Sequence, residues 1–179
     1  KVWPMTSYGT VIKDSGKLYF VNRKGEIVIQ PGDYDAGEMD KFNGLLALKD
    51  NSSDKWGVFD VSTGKQVVSF KYDSISFAGT DRLVVVKDHV KNLINMSTGK
   101  SLYSAQTEAT IEPFNSDTVT WVHTDKDAYT IIDNDGHVLF RDTNKVIEDV
   151  KSFNHGFSSV KSKGKWGVMN AKGEIGRAH

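Results

Sequence analysis

Five basic or titratable side chains recur along the chain at nearly constant spacing. They are Lys13, Lys49, Lys87, His123 and Lys161. The intervals between them are 36, 38, 36 and 38 residues, and each stands near the end of an apolar run. Cations gathered at one end of neighbouring strands would attract an anionic or polar ligand, so these five residues are the candidate ligand-binding site. An ordinary solvated edge, with Asp14, Asp50 and Asp88 neutralising much of the charge, is the alternative.

Other motifs with chemical meaning are better interpreted as turns. The sequence GKS at 99–101 matches the end of a phosphate-binding loop, but Ile94 stands where that loop needs its first glycine. The run IIDNDGH at 131–137 resembles a calcium loop but lacks the first and last ligands. The five histidines form no metal motif, and there is no Gly-x-Ser-x-Gly elbow. The sequence therefore predicts no catalytic residue, metal site or cofactor, although acid pairs drawn from different repeats stay open.

The segments that carry these residues repeat. Trp-Gly, an apolar pair, Asp or Asn and a late glycine occur in order within 54–67 and 164–175, and weaker copies occupy 17–29, 90–103 and 127–140. One glycine falls in register in every copy. These glycines are Gly25, Gly64, Gly99, Gly136 and Gly173. Asx followed by polar residues and Gly is typical of hairpin turns, in which Gly supplies a positive φ.

Each repeat predicts four short strands. The apolar pair before the turn places an apolar side chain on both faces of its strand, so both faces of the sheet must be covered. Four-stranded units that repeat about every 37 residues with both faces covered are typical of β-propeller blades. We expect the apolar strand, such as 45–50, to be innermost in its blade. The more polar strand, such as 71–77, is expected to be outermost.

The apolar strands number five, which predicts a single all-β domain at 1–175. The repeats are expected at about 10–44, 45–82, 83–117, 118–156 and 157–175 with 1–9. Residues 2–5 align with the outer strand at 111–114, so the N-terminal strand is expected to complete the last blade. The predicted fold is thus a closed five-bladed β-propeller of four-stranded antiparallel blades, with 176–179 as a tail. An open β-solenoid or a fragment of a longer array is the alternative.

Residues 54–88 and 164–175 resemble the WG repeat, also called the KWG repeat, of bacterial proteins. The resemblance implies a bacterial, often surface-associated repeat without catalytic activity, and it implies no particular ligand residues. We expect Trp56, Gly57, Trp166 and Gly167 to be structural, with the indole covering a sheet face and the glycine allowing close approach of a neighbouring backbone. Stacking of a ligand on one of the two tryptophans is the alternative.

The composition narrows the choice of partner. Lys and Arg number 23, as do Asp and Glu, so the formal net charge is zero, which disfavours nucleic acid. The chain has no cysteine, which excludes disulfides and thiol chemistry, and no apolar run reaches the roughly 18 residues of a membrane helix.

These observations favour a monomeric, non-enzymatic module that binds a protein or a glycan, outside the cell or on its surface, with no insertion into the membrane. Two alternatives stay open. One is a five-bladed glycoside-processing enzyme with carboxylates at the channel, and the other is a structural spacer of a larger surface protein.

Overall fold

The computed structural model describes residues 1–115, 117–124 and 128–176. These residues form nineteen strands and no helix. Strands that follow one another in sequence are neighbours in five antiparallel meander sheets, and this confirms the predicted all-β fold of five β-propeller blades. The chain divides into two compact units, one of Lys1–Phe77 with Val85–Asp88 and one of Ala78–Val84 with the residues from His89 onward.

The first two sheets belong to the first unit. The first sheet contains β1 (Gly9–Asp14), β2 (Lys17–Asn22) and β3 (Ile27–Gly32). The second sheet contains β4 (Tyr34–Asp40), β5 (Leu45–Asp50), β6 (Lys55–Asp60) and β7 (Gln66–Tyr72).

The third sheet contains β8 (Ser74–Gly79), β9 (Arg82–Lys87), β10 (Val90–Asn95) and β11 (Ser101–Gln106).

The last two sheets belong to the second unit. The fourth sheet contains β12 (Thr110–Ile111), β13 (Val119–His123), β14 (Thr130–Asp133) and β15 (Val138–Arg141). The fifth sheet contains β16 (Ile147–Val150), β17 (Phe157–Ser162), β18 (Lys165–Asn170) and β19 (Ile175–Gly176).

The turn between the last two strands of each sheet follows the predicted chemistry. All five in-register glycines have φ between 71° and 85°, a region that favours glycine. In the first sheet, Asn22 Oδ1 accepts hydrogen bonds from the N–H groups of Lys24 and Glu26 at 2.9 and 3.0 Å. Asn170 accepts two equivalent bonds in the fifth sheet, each at 3.0 Å. The Asx side chain thus fixes the turn, as the sequence predicts.

Apolar side chains of neighbouring sheets form the cores of both units. In the first unit, Val11 and Phe20 of the first sheet pack with Leu46 and Phe59 of the second. In the second unit, Trp121 and Ile131 of the fourth sheet pack with residues of the fifth, all of them buried. The fifth-sheet residues are Ile147, Val150, Val160 and Met169. The apolar pairs on each strand are therefore explained by packing on both faces of a sheet.

The order of strands within a sheet differs from the prediction. The polar strand, expected last and outermost, comes first: β8 is hydrogen-bonded to β9 of its own sheet, not to β7. A single residue, Asp73, separates β7 from β8, and neither Gly nor Pro stands there to turn the chain back. The chain instead passes straight from one sheet to the next. The apolar strand, expected innermost, is consequently the second strand of its sheet, with a partner on each side.

The position predicted for the N-terminal segment is wrong for the same reason. Val2 forms a bridge with Ile12 of β1, Trp3 N–H donates to Val11 O at 3.0 Å, and the Lys1 carbonyl accepts from Lys13 N–H at 2.8 Å. The segment therefore serves as the first strand of the first sheet and does not complete the last one. Pairing with the strand that follows closely in sequence needs only a short connection, which is the common arrangement.

A buried hydroxyl ties the first strand of three sheets to the second. Thr10 Oγ1 donates to Trp3 O at 2.6 Å, Thr120 Oγ1 donates to Glu112 O at 2.9 Å, and Ser158 Oγ donates to Lys151 O at 2.5 Å. All three hydroxyl residues are buried. Each side chain thereby satisfies a carbonyl group where the regular ladder of the short first strand ends.

Candidate functional site

Two of the predicted binding lysines form ion pairs within the first unit. Lys13 Nζ lies 2.8 Å from Asp35 Oδ1 and also contacts the carbonyl of Tyr34. Lys49 pairs with Asp54. The hydrogen bond from Lys13, together with the charges of Lys13 and Lys49, holds the pKa of Asp35 below its usual range although burial opposes the shift. These two lysines are thus largely neutralised by neighbouring carboxylates, which weakens their attraction for an external anion.

The other three predicted residues have different surroundings. Lys87 is exposed at the end of β9. Lys161 lies opposite Trp166 of β18 and Asp149 of β16. His123 ends β13 and lies at the wall of a cavity. A single site formed by all five residues stays a prediction.

The cavity beside His123 lies entirely within the second unit and has a volume of about 330 Å³. The described residues that line it come from β11, β13, β14, the end of β15 and the loops next to these strands. Those with polar groups are Tyr103, Gln106, His123, Thr124, Thr130, Arg141 and Lys145. The volume is at the lower end of the range for small-ligand pockets, so it suits a group of about the size of a monosaccharide.

Several contacts hold the imidazole of His123 at the cavity wall. Its Nε2 lies 3.3 Å from Glu112 Oε1, and the ring of Tyr129 lies against it with centroids 5.1 Å apart. Glu112 Oε2 in turn accepts a hydrogen bond from Ser152 Oγ at 3.3 Å. Side chains of the fourth and fifth sheets therefore orient the histidine before any ligand arrives.

The described residues of the cavity wall carry a positive charge. Arg141 and Lys145 both contribute to it, and none of the described lining residues is acidic. Arg141 is exposed at the end of β15, where it pairs with Thr130 across the sheet, and it forms no ion pair with another described residue. A guanidinium group in this state is suited to bind a carboxylate through two parallel hydrogen bonds.

A second, more open depression adjoins the first. It has a volume of about 620 Å³ and shares Ala105 and Gln106 with the cavity. His89, Thr107 and the acidic Glu108 also line it, and the Thr107 hydroxyl donates a hydrogen bond to the His89 carbonyl. The end of β11 therefore separates two adjacent depressions, and together they could accommodate a ligand longer than one sugar unit.

The two Trp-Gly pairs differ in their surroundings. Trp56 lies against Gly37 of β4 so closely that a Cβ added to Gly37 would be 2.4 Å from the indole. A Cβ on Gly57 would lie 2.6 Å from the Val68 carbonyl oxygen, which is closer than atoms can approach. Trp166, in contrast, is 47% exposed, and the Lys151 ammonium lies 5.3 Å from its ring centroid.

Three of the five turn glycines also lie against a strand of the preceding sheet. A Cβ on Gly64 would be 2.1 Å from the Val28 carbonyl oxygen, and one on Gly136 would be 2.2 Å from that of Leu102. A Cβ on Gly173 would be 2.1 Å from the Phe140 ring. Gly25 and Gly99 have no such neighbour within 4 Å, so at these two positions only the positive φ requires glycine.

The sequence identified His123 but missed the other polar residues of the cavity. Arg141 belongs to the fourth strand of the fourth sheet and Lys145 to the turn after it, and neither is part of a recurring pattern. Tyr103 and Gln106 belong to a different sheet. Only the packing of the third and fourth sheets brings these side chains together, and one-dimensional spacing does not contain that information.

The described residues contain neither a metal-binding cluster nor a membrane-spanning helix. No three His, Asp or Glu side chains in the described ranges are placed to hold a metal ion. The same residues contain no helix of the length and apolarity needed to cross a membrane.

Comparison with solved structures supports the fold. A chain described as the eukaryotic initiation factor matches with a TM-score of 0.61 and 12% identity, covering 88% of this chain and 48% of its own. Hsv2 of Kluyveromyces lactis matches with a TM-score of 0.52 and 11% identity, covering 96% of this chain and 60% of its own. A form of that protein with loop 6CD replaced by a Gly-Ser linker matches with a TM-score of 0.57 and 12% identity, covering 94% of this chain and 62% of its own. The chain thus spans about half to three fifths of these structures.

Comparison of sequences identifies the repeat. A search of the curated proteins found no match. The family model of the WG containing repeat matches residues 20–52 and 56–88, which include the Trp56-Gly57 pair and most of the second sheet. Residues 20–52 and 56–88 therefore match the WG repeat, as the sequence predicts.

Proposed function

We propose that the chain is a non-catalytic binding module, and that the cavity beside His123 binds a glycan bearing a carboxylate group. The repeat family and the fold suggest a binding or scaffold role in general terms. The observation that supports a specific ligand is the cationic cavity wall, in which Arg141 has no acidic partner among the described residues. Hydrogen-bonding groups of Gln106 and Thr130 accompany the cation, and sugars need such groups for their hydroxyls.

The size of the cavity favours a sugar over a folded partner. A volume of about 330 Å³ accommodates roughly one saccharide unit, and the adjoining depression extends the site for a second. Tyr103 supplies an apolar wall on which a sugar ring can pack.

We also propose a bacterial cell-surface location, where acidic glycans are accessible. Protease treatment of intact cells of the source organism, followed by detection of the chain, tests this location.

The enzymatic alternative has less support at this cavity. Glycoside hydrolysis requires two carboxyl groups on either side of the bond that is cleaved. The described lining of the cavity contains cations and neutral groups only, and Glu112 is engaged by His123 and Ser152 at its edge.

The experiment is a titration of the purified chain with oligogalacturonate, which carries carboxylates, and with a neutral oligosaccharide of the same length. Calorimetry is expected to detect binding of the acidic sugar only. Arg141→Ala is expected to weaken this binding by about tenfold or more, because a hydrogen bond between two charged groups contributes roughly 1.5–3 kcal/mol. Arg23→Ala, which removes an exposed arginine in a turn of the first sheet, is the matched control.

Three results would contradict the proposal. The first is equal binding of acidic and neutral sugars. The second is an equal effect of Arg141→Ala and Arg23→Ala. The third is failure to bind any sugar, accompanied by capture of a protein from the native host that Arg141→Ala does not alter, which would point to a protein ligand at another surface.

A further inference from the structure

The open depression beside the cavity differs from the cavity in its charged groups. Glu108 lines the depression and is exposed there, and no described Lys or Arg side chain lines the depression with it. The cavity has the opposite character, because Arg141 lines it and none of its described lining residues is acidic. A carboxylate and a guanidinium thus belong to two adjacent parts of one surface.

The two hydroxyl groups of the depression can only accept hydrogen bonds from a ligand. A hydroxyl has one proton, and both groups use theirs within the protein. Thr107 Oγ1 donates to the His89 carbonyl, and Ser104 Oγ donates to Asn92 Oδ1 at 2.6 Å. The two oxygen atoms keep lone pairs, so they join the Glu108 carboxylate as acceptors.

The neighbouring Ser101 does not supply a proton to this set. Its Oγ lies 3.4 Å from Ser104 Oγ, but it donates to the same Asn92 Oδ1 at 2.9 Å. Bonds to Asn92 of β10 and to the His89 carbonyl therefore hold both hydroxyls of the depression before a ligand arrives. Such preorganisation lowers the cost of binding.

Two lining side chains of the depression can still donate hydrogen bonds. Gln106 borders both the cavity and the depression, so its amide lies where two sugar units would join. The His89 imidazole in its neutral form has one acceptor nitrogen beside its one donor. Acceptors therefore predominate in the depression, and a ligand group that is rich in donors matches it best.

An ammonium group has the properties that this set of acceptors requires. It carries three N–H donors, a positive charge and no acceptor, so it can bind the Glu108 carboxylate and the oxygens of Ser104 and Thr107. A second carboxylate in the ligand would instead meet Glu108 with like charge. An acetamido group has a single N–H donor and no charge.

We propose that the depression binds an amino sugar, so that the ligand is a glycan in which a uronic acid is joined to a sugar with a free amine. This inference rests on the proposed function, which assigns the carboxylate of the ligand to Arg141. The cavity and the depression share Ala105 and Gln106, so the two charged groups belong to neighbouring sugar units. The preferred ligand is a zwitterion.

Two disaccharides that differ in one group test the proposal. They are glucuronosyl-glucosamine with a free amine and its N-acetylated form, titrated by calorimetry at about pH 6, where the amine is protonated. The wild type is expected to bind the free amine about fivefold more tightly, as one exposed ion pair allows. Glu108→Gln is expected to abolish this preference and to change the affinity for the N-acetylated form by less than about twofold.

The matched control is Glu26→Gln, which removes an exposed carboxylate from a turn of the first sheet. Asn22 Nδ2 donates to Glu26 Oε2 at 2.7 Å, and the glutamine oxygen can accept the same bond. This variant is expected to keep the fivefold preference. Digalacturonate provides a second comparison, because Glu108→Gln removes the repulsion of its second carboxylate and is expected to raise its affinity by about twofold.

Arg141→Ala separates failure of this inference from failure of the proposed function. It is expected to weaken both disaccharides by about tenfold and to leave their ratio near five. Equal binding of the two disaccharides that Arg141→Ala weakens overturns the amino-sugar inference alone, as does a preference that persists in Glu108→Gln. Binding of neither disaccharide, or binding that Arg141→Ala does not change, overturns both.

Discussion

The indole Nε1 of Trp121 donates a hydrogen bond of 2.9 Å to Ser158 Oγ across the packed faces of the fourth and fifth sheets. The same N–H lies 3.2 Å from the Lys151 carbonyl oxygen, and the Phe153 ring lies 5.3 Å from the indole. A completely buried tryptophan is thus attached to the next sheet by a hydrogen bond as well as by packing.

This attachment predicts unequal costs for two substitutions. Ser158→Ala is expected to lower the free energy of unfolding by about 1 kcal/mol, because the indole N–H keeps the Lys151 carbonyl as acceptor. Trp121→Phe is expected to cost about 2–4 kcal/mol, because it leaves a cavity and removes the donor. Urea unfolding followed by circular dichroism measures both.

The double variant provides the decisive comparison. If the two side chains act together, its destabilisation is smaller than the sum of the single effects by about 0.5 kcal/mol or more. Strict additivity would show that the hydrogen bond contributes nothing.

Gly57 and Gly167 occupy the same place in the repeat but are expected to respond differently to alanine. Gly57→Ala places a Cβ 2.6 Å from a backbone oxygen, so strand β7 must move, at a cost of about 2 kcal/mol. Gly167→Ala meets the Ile175 methyl at 3.4 Å and the Gly176 carbonyl oxygen at 3.9 Å, both ordinary contacts, so its effect is expected to lie within about 0.5 kcal/mol of zero. Thermal unfolding of the two variants measures the difference. Equal shifts of the melting temperature would contradict the prediction.

Asp60 makes stability depend on pH in the acidic range. Burial raises the pKa of its carboxyl, but hydrogen bonds from Ser62 and Thr63 outweigh this and lower the pKa below its usual range. A carboxyl with a lowered folded-state pKa stabilises the fold at neutral pH, and this contribution is lost as the pH falls below about 4. Asp60→Asn is therefore expected to cost about 1 kcal/mol at pH 7 and less at pH 2.5.

The asparagine variant is expected to fold because Asn95 holds the equivalent turn in the third sheet, where it accepts a hydrogen bond from Thr98 N–H at 2.8 Å. Urea unfolding at the two pH values measures the difference. Asp14→Asn, at an exposed strand end, is the control. Its effect on the free energy of unfolding is expected to differ less between pH 7 and pH 2.5. A penalty for Asp60→Asn that grows as the pH falls would have the wrong sign.

The lysines of the first unit are expected to matter little for an anionic ligand. Lys49 already pairs with Asp54, so Lys49→Ala combined with Lys87→Ala is expected to change the affinity for oligogalacturonate by less than about twofold. Calorimetry with the same sugar as for Arg141→Ala allows direct comparison. A loss as large as that of Arg141→Ala would favour a site formed by the five recurring residues.

The repeat was predictable because it depends on local chemistry. Asn22 and Gly25 fix a turn by contacts within five residues, and the apolar pairs before the turns indicate burial on both faces. The pairing of β8 was not predicted, because the polar strand follows β7 and precedes β9 at similar distances in sequence. Only the lack of a turn-forming glycine or proline beside Asp73 distinguishes the two possibilities.

The candidate site was predicted less well than the fold. His123 was found because it occupies a recurring position, whereas Arg141 and Tyr103 line the cavity as a result of packing between two sheets. At the equivalent position in the first two sheets, Lys13 and Lys49 form ion pairs with Asp35 and Asp54, whereas His123 lies beside Glu112 at the wall of a cavity. Equivalent positions in a repeat therefore share backbone geometry without sharing chemistry.

The single residue between the first and second sheets has a consequence for protein engineering. Asp33 is all that separates β3 from β4, and Asn51 binds it through a backbone contact of 3.1 Å and a side-chain contact of 3.0 Å. Because side chains alternate along a strand, one inserted residue here would turn the interior of the following blade outward. Blades of this kind should therefore be transplanted or fused at their hairpin loops, such as 51–54, where extra length leaves the alternation undisturbed.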